Sequence, residues 1–316
     1  MEKNSKIYIA GHKGMVGSAI WRALTAKGYT NLIGAASADL DLRDQIAVQT
    51  FFSKEQPEIV IDAAARVGGI LANMTAPYEF LMQNLQIQNN LIDTALRTNV
   101  SQFVFLGSSC IYPKMAEQPL KEEYLLTDSL EPTNEWYAIA KIAGVKACEA
   151  IQKQYGKAFF SLMPTNLYGS YDNFDLNSSH VLPAMIRKFH EAKINSSPSV
   201  GLWGSGTPLR EFLYVDDLAA AVVFALENNM TESFYNVGTG TDLSIKDVAE
   251  TIKRIVGYTG TITWDASKPD GTPRKLMDVS KMKEMGWKAQ VSLETGIQKT
   301  YEWYLNNQET VQQRSN

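Results

Sequence analysis

Lys6-Ile-Tyr-Ile-Ala10 runs without a break into Gly11-His-Lys-Gly-Met-Val-Gly17 and then into Ser18-Ala-Ile-Trp-Arg-Ala-Leu24. The apolar run predicts a buried strand, and the stretch after the glycines predicts an amphipathic helix. Strand, glycine-rich turn and helix is the context that a dinucleotide site requires. Gly11 permits the tight turn, Gly14 lets backbone approach a pyrophosphate, and Gly17 lets helix and strand pack closely, with the phosphates at the helix amino terminus. The spacing is GxxGxxG rather than GxGxxG. Glycines punctuate many loops, so the placement carries more weight than the glycines alone.

Outward from this unit, Asn31-Leu-Ile-Gly-Ala35 predicts a second strand, ending where an adenosine ribose would lie. An NAD site wants a carboxylate there, and a 2′-phosphate wants cations. The strand ends in Ala35-Ala36-Ser37, and Lys13 is the nearest obvious cation, which favours NADP(H). Asp41, in Leu40-Asp-Leu-Arg-Asp44, suits either the adenine amino group or the cap of the following helix. Pro57-Glu-Ile-Val-Ile-Asp62 predicts a further strand, and the small Ala63-Ala64-Ala65 at its end lets a cofactor backbone pass. Residues 77–98 predict a helix with Leu81, Leu85, Leu91, Ile92 and Ala95 on its apolar side, suited to core or subunit contact.

Strands alternating with helices up to residue 165 imply an α/β, doubly wound parallel sheet. Beyond Met163 the loops lengthen, which suits a smaller substrate lobe. We therefore expect a dinucleotide-binding domain at 1–165, with segments near 211–240 returning to it, and a substrate lobe over most of 166–316. Val200-Gly-Leu-Trp203 and Phe234-Tyr-Asn-Val-Gly238 predict strands, the latter returning to the first domain, and Arg210-Glu-Phe-Leu-Tyr-Val-Asp-Asp-Leu-Ala219 leads into an apolar helix. The tail ends in Gln312-Gln-Arg-Ser-Asn316, polar and expected to fray.

With 30 basic and 34 acidic residues the net charge is −4, and no Lys/Arg block stands out. Nucleic acid and anionic membranes are therefore not expected partners. The two cysteines, Cys110 and Cys148, cannot form a disulfide framework and argue for a reducing compartment. Without a signal-like start or an apolar stretch near the ~20 residues of a membrane span, a cytoplasmic protein is expected. No metal is expected.

The chemistry concentrates in two stretches, Leu106-Gly-Ser-Ser-Cys-Ile-Tyr112 and Tyr137-Ala-Ile-Ala-Lys141. The first follows the apolar Phe103-Val-Phe and so sits at a strand's carboxyl end, where open α/β sheets place ligands. The second puts Tyr137 and Lys141 one helical turn apart, so the ammonium can favour the phenolate. A free tyrosine, with a pKa of ~10, needs such help to act near neutrality. Taken alone, YxxxK also occurs by chance in many helices. A hydroxyl to hold a substrate oxygen would come from Ser108 or Ser109.

Ser, Tyr and Lys behind a GxxGxxG loop resemble the extended short-chain dehydrogenase/reductase family, most of whose members act on nucleotide sugars from an NAD(P)-binding Rossmann fold. In that family the serine lies four residues before a tyrosine, and Tyr112 selects Ser108 by that count. Gly107-Ser-Ser-Cys-Ile-Tyr-Pro113, Glu131-Pro-Thr-Asn-Glu135, Met163-Pro-Thr-Asn-Leu-Tyr-Gly169, Asp172-Asn-Phe174, Trp203-Gly-Ser-Gly-Thr-Pro-Leu-Arg-Glu-Phe212 and Lys268-Pro-Asp-Gly-Thr-Pro-Arg-Lys275 narrow the resemblance to the GDP-L-fucose synthase family. Those enzymes are GDP-4-keto-6-deoxymannose 3,5-epimerase-4-reductases.

The resemblance implies that Cys110 and His180 move the protons at C3 and C5, while Ser108, Tyr137 and Lys141 serve the reduction at C4. Both proton carriers suit the task, since a thiol and an imidazole can titrate near neutrality when their surroundings shift them. By residue type alone, a cysteine placed as Cys110 is after a strand is more often buried filler, and His180 before Val181-Leu-Pro183 also reads as a helix cap. The implied NADP(H) contacts are Gly11, Lys13, Gly14, Met15, Val16, Gly17, Asp41, Leu42, Ala64, Tyr137, Lys141, Pro164, Asn166, Leu167 and His180. Those implied for the GDP-sugar are Asn166, Lys188, Trp203, Arg210 and Lys275, with Trp203 equally readable as a core residue. Lys13 and Ala35 stand where the family pattern has arginines. A homodimer with a helical seam is the implied assembly.

Overall fold

The computed structural model describes residues 1–268, 270–309 and 311. In chain order the first half forms β1 (Ile7–Ala10), α1 (Met15–Ala26), β2 (Leu32–Ile33), α2 (Gln45–Glu55), β3 (Ile59–Asp62), α3 (Ile70–Thr75), α4 (Pro77–Arg97), β4 (Gln102–Leu106), α5 (Glu135–Tyr155) and β5 (Ala158–Pro164). The second half adds β6 (Asn166–Tyr168), α6 (Val181–Ile194), β7 (Ser199–Trp203), β8 (Leu209–Tyr214), α7 (Val215–Glu227), β9 (Phe234–Val237), β10 (Asp242–Ser244), α8 (Ile245–Val256), β11 (Thr261–Asp265), β12 (Arg274–Lys275), α9 (Ser280–Glu284) and α10 (Leu293–Asn306).

The main sheet has the order β2-β1-β3-β4-β5-β9, and every neighbouring pair is parallel. Its central strands are buried on both faces, as a sheet covered by crossover helices must be. Ile7, Ile9, Ile61 and Val104 pack toward α1 and α7 on one face. Tyr8, Val60, Phe103 and Phe105 pack toward α2, α4 and α5 on the other. The chain thus returns from the second half to add α7 and β9 to this body, and α9 packs against β9. A second body surrounds β8, which pairs with β6, β10 and β12, while β7 pairs with β11 and α6, α8 and α10 enclose a separate apolar core.

Two local expectations change. The second strand shortens to Leu32–Ile33. On α4, Leu81 and Leu85 are only half-buried, whereas Phe80 and the polar Asn84 and Gln88 are inside. Their burial is compensated by backbone: the Asn84 amide donates to Arg66 O and Phe80 O and accepts from Arg66 N, and Gln88 Nε2 donates to Ala140 O at 2.7 Å. The polar tail at 312–316 lies outside the described residues. Among the described residues, no helix is long and apolar enough to cross a membrane.

Candidate active site

The carboxyl ends of β1, β3, β4 and β5 converge on one edge, and the chemistry-bearing side chains gather there. After β1 the backbone turns sharply: Gly11 has φ +75°, and a Cβ on it would meet Ala63 O at 2.7 Å. A Cβ on Gly17 would stand 2.2 Å from Gly11 O, so α1 can cross this turn only with glycine there. Gly14 is the amino cap of α1 and offers no side chain to its first N–H groups, and no acid occupies the first turn. Those free N–H groups and the positive end of the helix dipole suit a pyrophosphate. Lys13 is exposed at the same turn, with Met15 and Val16 half-buried behind it. The His12 ring lies against Gly34 at the end of β2.

Asp41 does not cap α2. That role belongs to Asp44, whose carboxylate accepts from Ile46 N and Ala47 N. Asp41 instead takes Arg43 in a two-pronged pair, at 2.9 and 2.8 Å, which holds its carboxyl at about 2. Leu42 and Ala64 are half-buried alongside the sheet edge, and Leu42 O accepts from Asn90. With a glycine cradle, a bare helix amino end and small residues after β3, the chain's own residues fit a dinucleotide.

At the end of β4, Ser108 and Cys110 are half-buried while Ser109, between them, is 4% exposed. Ser108 bonds Tyr137 and accepts from Cys110 N at 3.3 Å, so the open hydroxyl is Ser108 and not Ser109. Helix α5 comes close enough to deliver Tyr137 and Lys141 because Gly144 faces the Phe105 ring, where a Cβ would stand 2.4 Å away.

Burial pushes the Tyr137 hydroxyl up, the nearby Cys110 adds to this, and the Ser108 bond opposes it. The expected lowering by Lys141 does not dominate, because the ammonium points elsewhere. Lys141 Nζ donates to Leu106 O at 2.8 Å and lies 5.8 Å from the centre of the Tyr137 ring. Burial holds Lys141 down, at about 8, against the pull of Asp62.

Cys110 Sγ is approached by Asn134 Nδ2 at 3.1 Å and by Lys275 Nζ at 3.8 Å. Lys275, expected at the diphosphate, therefore reaches the sulfur, beside a shallow cleft lined also by Lys114, Glu131 and Arg274. His180 occupies the amino-cap position of α6 but makes no side-chain cap bond, so capping does not explain it. Its loop is held by Asp175, which accepts from Asn177 N, Ser178 N and Ser178 Oγ, and by Gly69 N donating to Ser178 O at 3.1 Å. The imidazole is exposed at its own surface, yet the surrounding walls desolvate it and lower its pKa.

Asn166 and Leu167 are half-buried on β6 behind the buried Pro164, and Asn166 Nδ2 donates to Glu211 O at 2.7 Å. Trp203 is 55% exposed and lies beneath Lys268 rather than in a core. Arg210 is half-buried and bonded to Leu209 O and Asp270 O, and Lys188 donates to Gly201 O. Sequence reasoning missed Asn134, Asp270 and the buried Asp62. A polar residue at a strand's last position, as Asp62 is, would have been the signal. Among the described residues, no group of His, Cys, Asp and Glu is set to hold a metal ion.

Residues 7–238 match the model of the NAD dependent epimerase/dehydratase family. The chain belongs to that family. Within it, the chain is 56% identical to GDP-L-fucose synthase 1 of Arabidopsis thaliana, over 97% of this chain and 95% of that protein. It is 52% identical to GDP-L-fucose synthase of Escherichia coli (strain K12), over 96% and 98%. Among solved structures, a GDP-L-fucose synthetase from Naegleria fowleri bound to NADP superposes with a TM-score of 0.90 at 31% identity, covering 98% of this chain and 95% of that one.

Proposed function

We infer that this family member is a bifunctional 3,5-epimerase and NADPH-dependent 4-reductase that converts GDP-4-keto-6-deoxy-D-mannose to GDP-L-fucose. The observation that carries the reading is the turn after β4, which opens Ser108 toward Tyr137 and Cys110 toward Asn134 and Lys275. A simple reductase needs the first arrangement only.

The 4-keto group acidifies the protons on its neighbouring carbons. Cys110 Sγ takes or returns one of them, and negative charge developing on sulfur meets the Asn134 and Lys275 donors. His180, kept neutral by desolvation, is free to exchange a proton from the other side. For reduction, Tyr137 stays protonated at neutral pH because burial raises its pKa, so it can act as the acid. Its developing phenolate is met by the Ser108 hydroxyl and the nearby Lys141 charge. When bound, NADPH supplies the hydride for C4. Gly14, at the amino end of α1 on the turn that Gly11 and Gly17 permit, would receive its phosphates, and Lys13 is the exposed cation offered to a 2′-phosphate.

Trp203 and Arg210 offer a stacking face and a cation to the GDP moiety. Residues 1–165 with 211–240 form the cofactor half, and most of 166–316 the substrate half. A homodimer is supported by the exposed Tyr78 on α4 and Trp136 and Ile139 on α5, and a cytoplasmic setting by two free thiols, one of them catalytic. Purified protein should consume GDP-4-keto-6-deoxymannose with falling nicotinamide absorbance. Absence of turnover with both NADPH and NADH refutes the reading. Cys110→Ser should lose exchange of the C3 and C5 protons into deuterated water, and Tyr137→Phe mainly hydride transfer. Equal loss of both steps in each variant refutes the division.

A further inference from the structure

The reduction described above leaves one buried ionisable group without a task. Asp62 is the last residue of β3 and only 1% exposed. Its ladder neighbours are Ala10 on β1 and Phe105 on β4. Two-residue periodicity puts its side chain on the face of Val60, Tyr8 and Phe105, the face that α5 covers. One carboxylate oxygen accepts from Ala64 N at 3.1 Å, and the other is buried with no hydrogen-bond partner. A fold that needed only packing here would use an aliphatic side chain, because an isolated buried carboxylate costs stability.

Lys141 reaches the same region from α5. It is 3% exposed, donates to Leu106 O, and lies 4.7 Å from the centre of the Phe105 ring, the strand neighbour of Asp62. The two side chains do not form a direct ion pair, but through a poorly hydrated interior their charges still act on each other. Other titratable groups within electrostatic reach are Tyr8 from β1 and Tyr137 and Cys148 from α5. Cys110, after β4, acts on Tyr137. Helix α4 faces this region with the amides Asn84 and Gln88, which do not titrate.

We propose that Asp62 is a positioning residue for the reduction: its buried carboxylate keeps the Lys141 side chain charged and held at the Leu106 carbonyl, beneath the Tyr137 ring. Burial alone would drive Lys141 toward the neutral amine and Asp62 toward the neutral acid, and each charge opposes the other's loss. With one carboxylate oxygen on Ala64 N and the other without a hydrogen-bond partner, backbone donors offset only part of the charge.

The proposal rests on the reductase roles given to Tyr137 and Lys141, and its test separates the two. In the apoprotein with isotope-labelled lysine, the Lys141 Nζ resonance is assigned by its absence from Lys141→Met and titrated by NMR. Asp62→Asn keeps the acceptor for Ala64 N and removes the charge, and Asp62→Leu removes both. In each, Lys141 should deprotonate at a pH lower by about one unit. The alkaline limb of kcat for the reduction should move the same way, because losing the carboxylate favours both the neutral lysine and the Tyr137 phenolate. Lys141 titrations that superimpose on the wild type in both variants overturn the proposal, even where melting temperature falls. If neither variant folds, the wild-type Lys141 resonance decides. A second inflection as Asp62 titrates supports the coupling, and a single inflection overturns it. A wild type that turns over neither cofactor overturns the functional reading instead.

Discussion

Alanine at Gly14 and at Gly17 should separate cofactor binding from folding, although the two glycines are three residues apart in one loop. At Gly17 the added Cβ would stand 2.2 Å from Gly11 O and 2.7 Å from both Gly11 C and the His12 Cα, all backbone atoms that cannot rotate away. Either α1 lifts from the turn or the turn opens. Overpacking of this kind costs about 3 kcal/mol, near the top of the usual range because no flexible side chain can yield. At roughly 2 to 4 °C per kcal/mol, the melting temperature of Gly17→Ala should fall by roughly 6 °C or more.

At Gly14 the Cβ would meet only Gly11 O, at 3.3 Å, and the backbone is extended at φ −78° and ψ 173°. Folding should lose under about 1 kcal/mol there, the cost of alanine at an amino cap. The methyl would nonetheless crowd the free N–H groups of α1, the proposed seat of the pyrophosphate. NADP at one hundred times its dissociation constant should raise wild-type stability by about 2.7 kcal/mol. Gly14→Ala should melt within about 4 °C of wild type and show little of that rise. Thermal melts with and without NADP, backed by calorimetric titration, read both quantities. Wild-type NADP stabilisation in Gly14→Ala, or a wild-type melt for Gly17→Ala, refutes the assignment of these glycines.

Three further outcomes follow from particular side chains. A thiol reagent should label one cysteine in the folded protein and both in denaturant, because Cys148 is fully buried with its thiol pushed up to about 12, whereas Cys110 is half-exposed; quantitative mass spectrometry checks it. Asp172 is buried with one oxygen unpartnered, and desolvation raises its carboxyl to about 7. The folded-state value exceeds the unfolded one, so its contribution is fully favourable only below about pH 4 and turns to a cost as pH rises toward neutrality. Asp172→Asn should therefore leave the melt near pH 4 unchanged and raise it above pH 7, by up to about 4 kcal/mol. Trp203→Ala should raise KM for the GDP-sugar by about 5- to 100-fold with little change in kcat or melting temperature, since an exposed ring offers stacking and no packing; steady-state kinetics reads it.

The first unit of the fold is legible because its determinants are local. The apolar run at Ile7, the glycine spacing and the amphipathic stretch after Gly17 all act within one turn of chain, and the structure places them in β1, the loop and α1. Tyr137 and Lys141 are legible for the same reason, being one helical turn apart. What is hidden depends on distant partners. Asn84 and Gln88 look like an exposed helix face until Arg66 and Ala140 supply backbone partners. Lys275 looks like a cation for phosphate until β12 pairs with β8 and carries it toward Cys110. Asp62 looks like the polar end of a strand, and only the covering of its face by α5 makes it a buried charge.

The proposed separation of two chemistries at one strand end has a simple geometric origin. The chain leaves β4 extended at Ser108, with φ −161° and ψ 149°, and then tightens into a 3-10 turn over Ser109–Ile111. Residues two apart across that change share the open side, so Ser108 and Cys110 are accessible while Ser109 and Ile111 are buried. The bond from Cys110 N to the Ser108 hydroxyl fixes their relative position. One accessible residue then meets α5, which brings Tyr137, and the other meets Asn134 at the amino cap of that helix and Lys275 from β12, far along the chain. Inserting a residue between Ser108 and Cys110 would turn one of them inward. On the proposed assignment, either the hydride step or the proton transfers would be lost, depending on which side chain is buried.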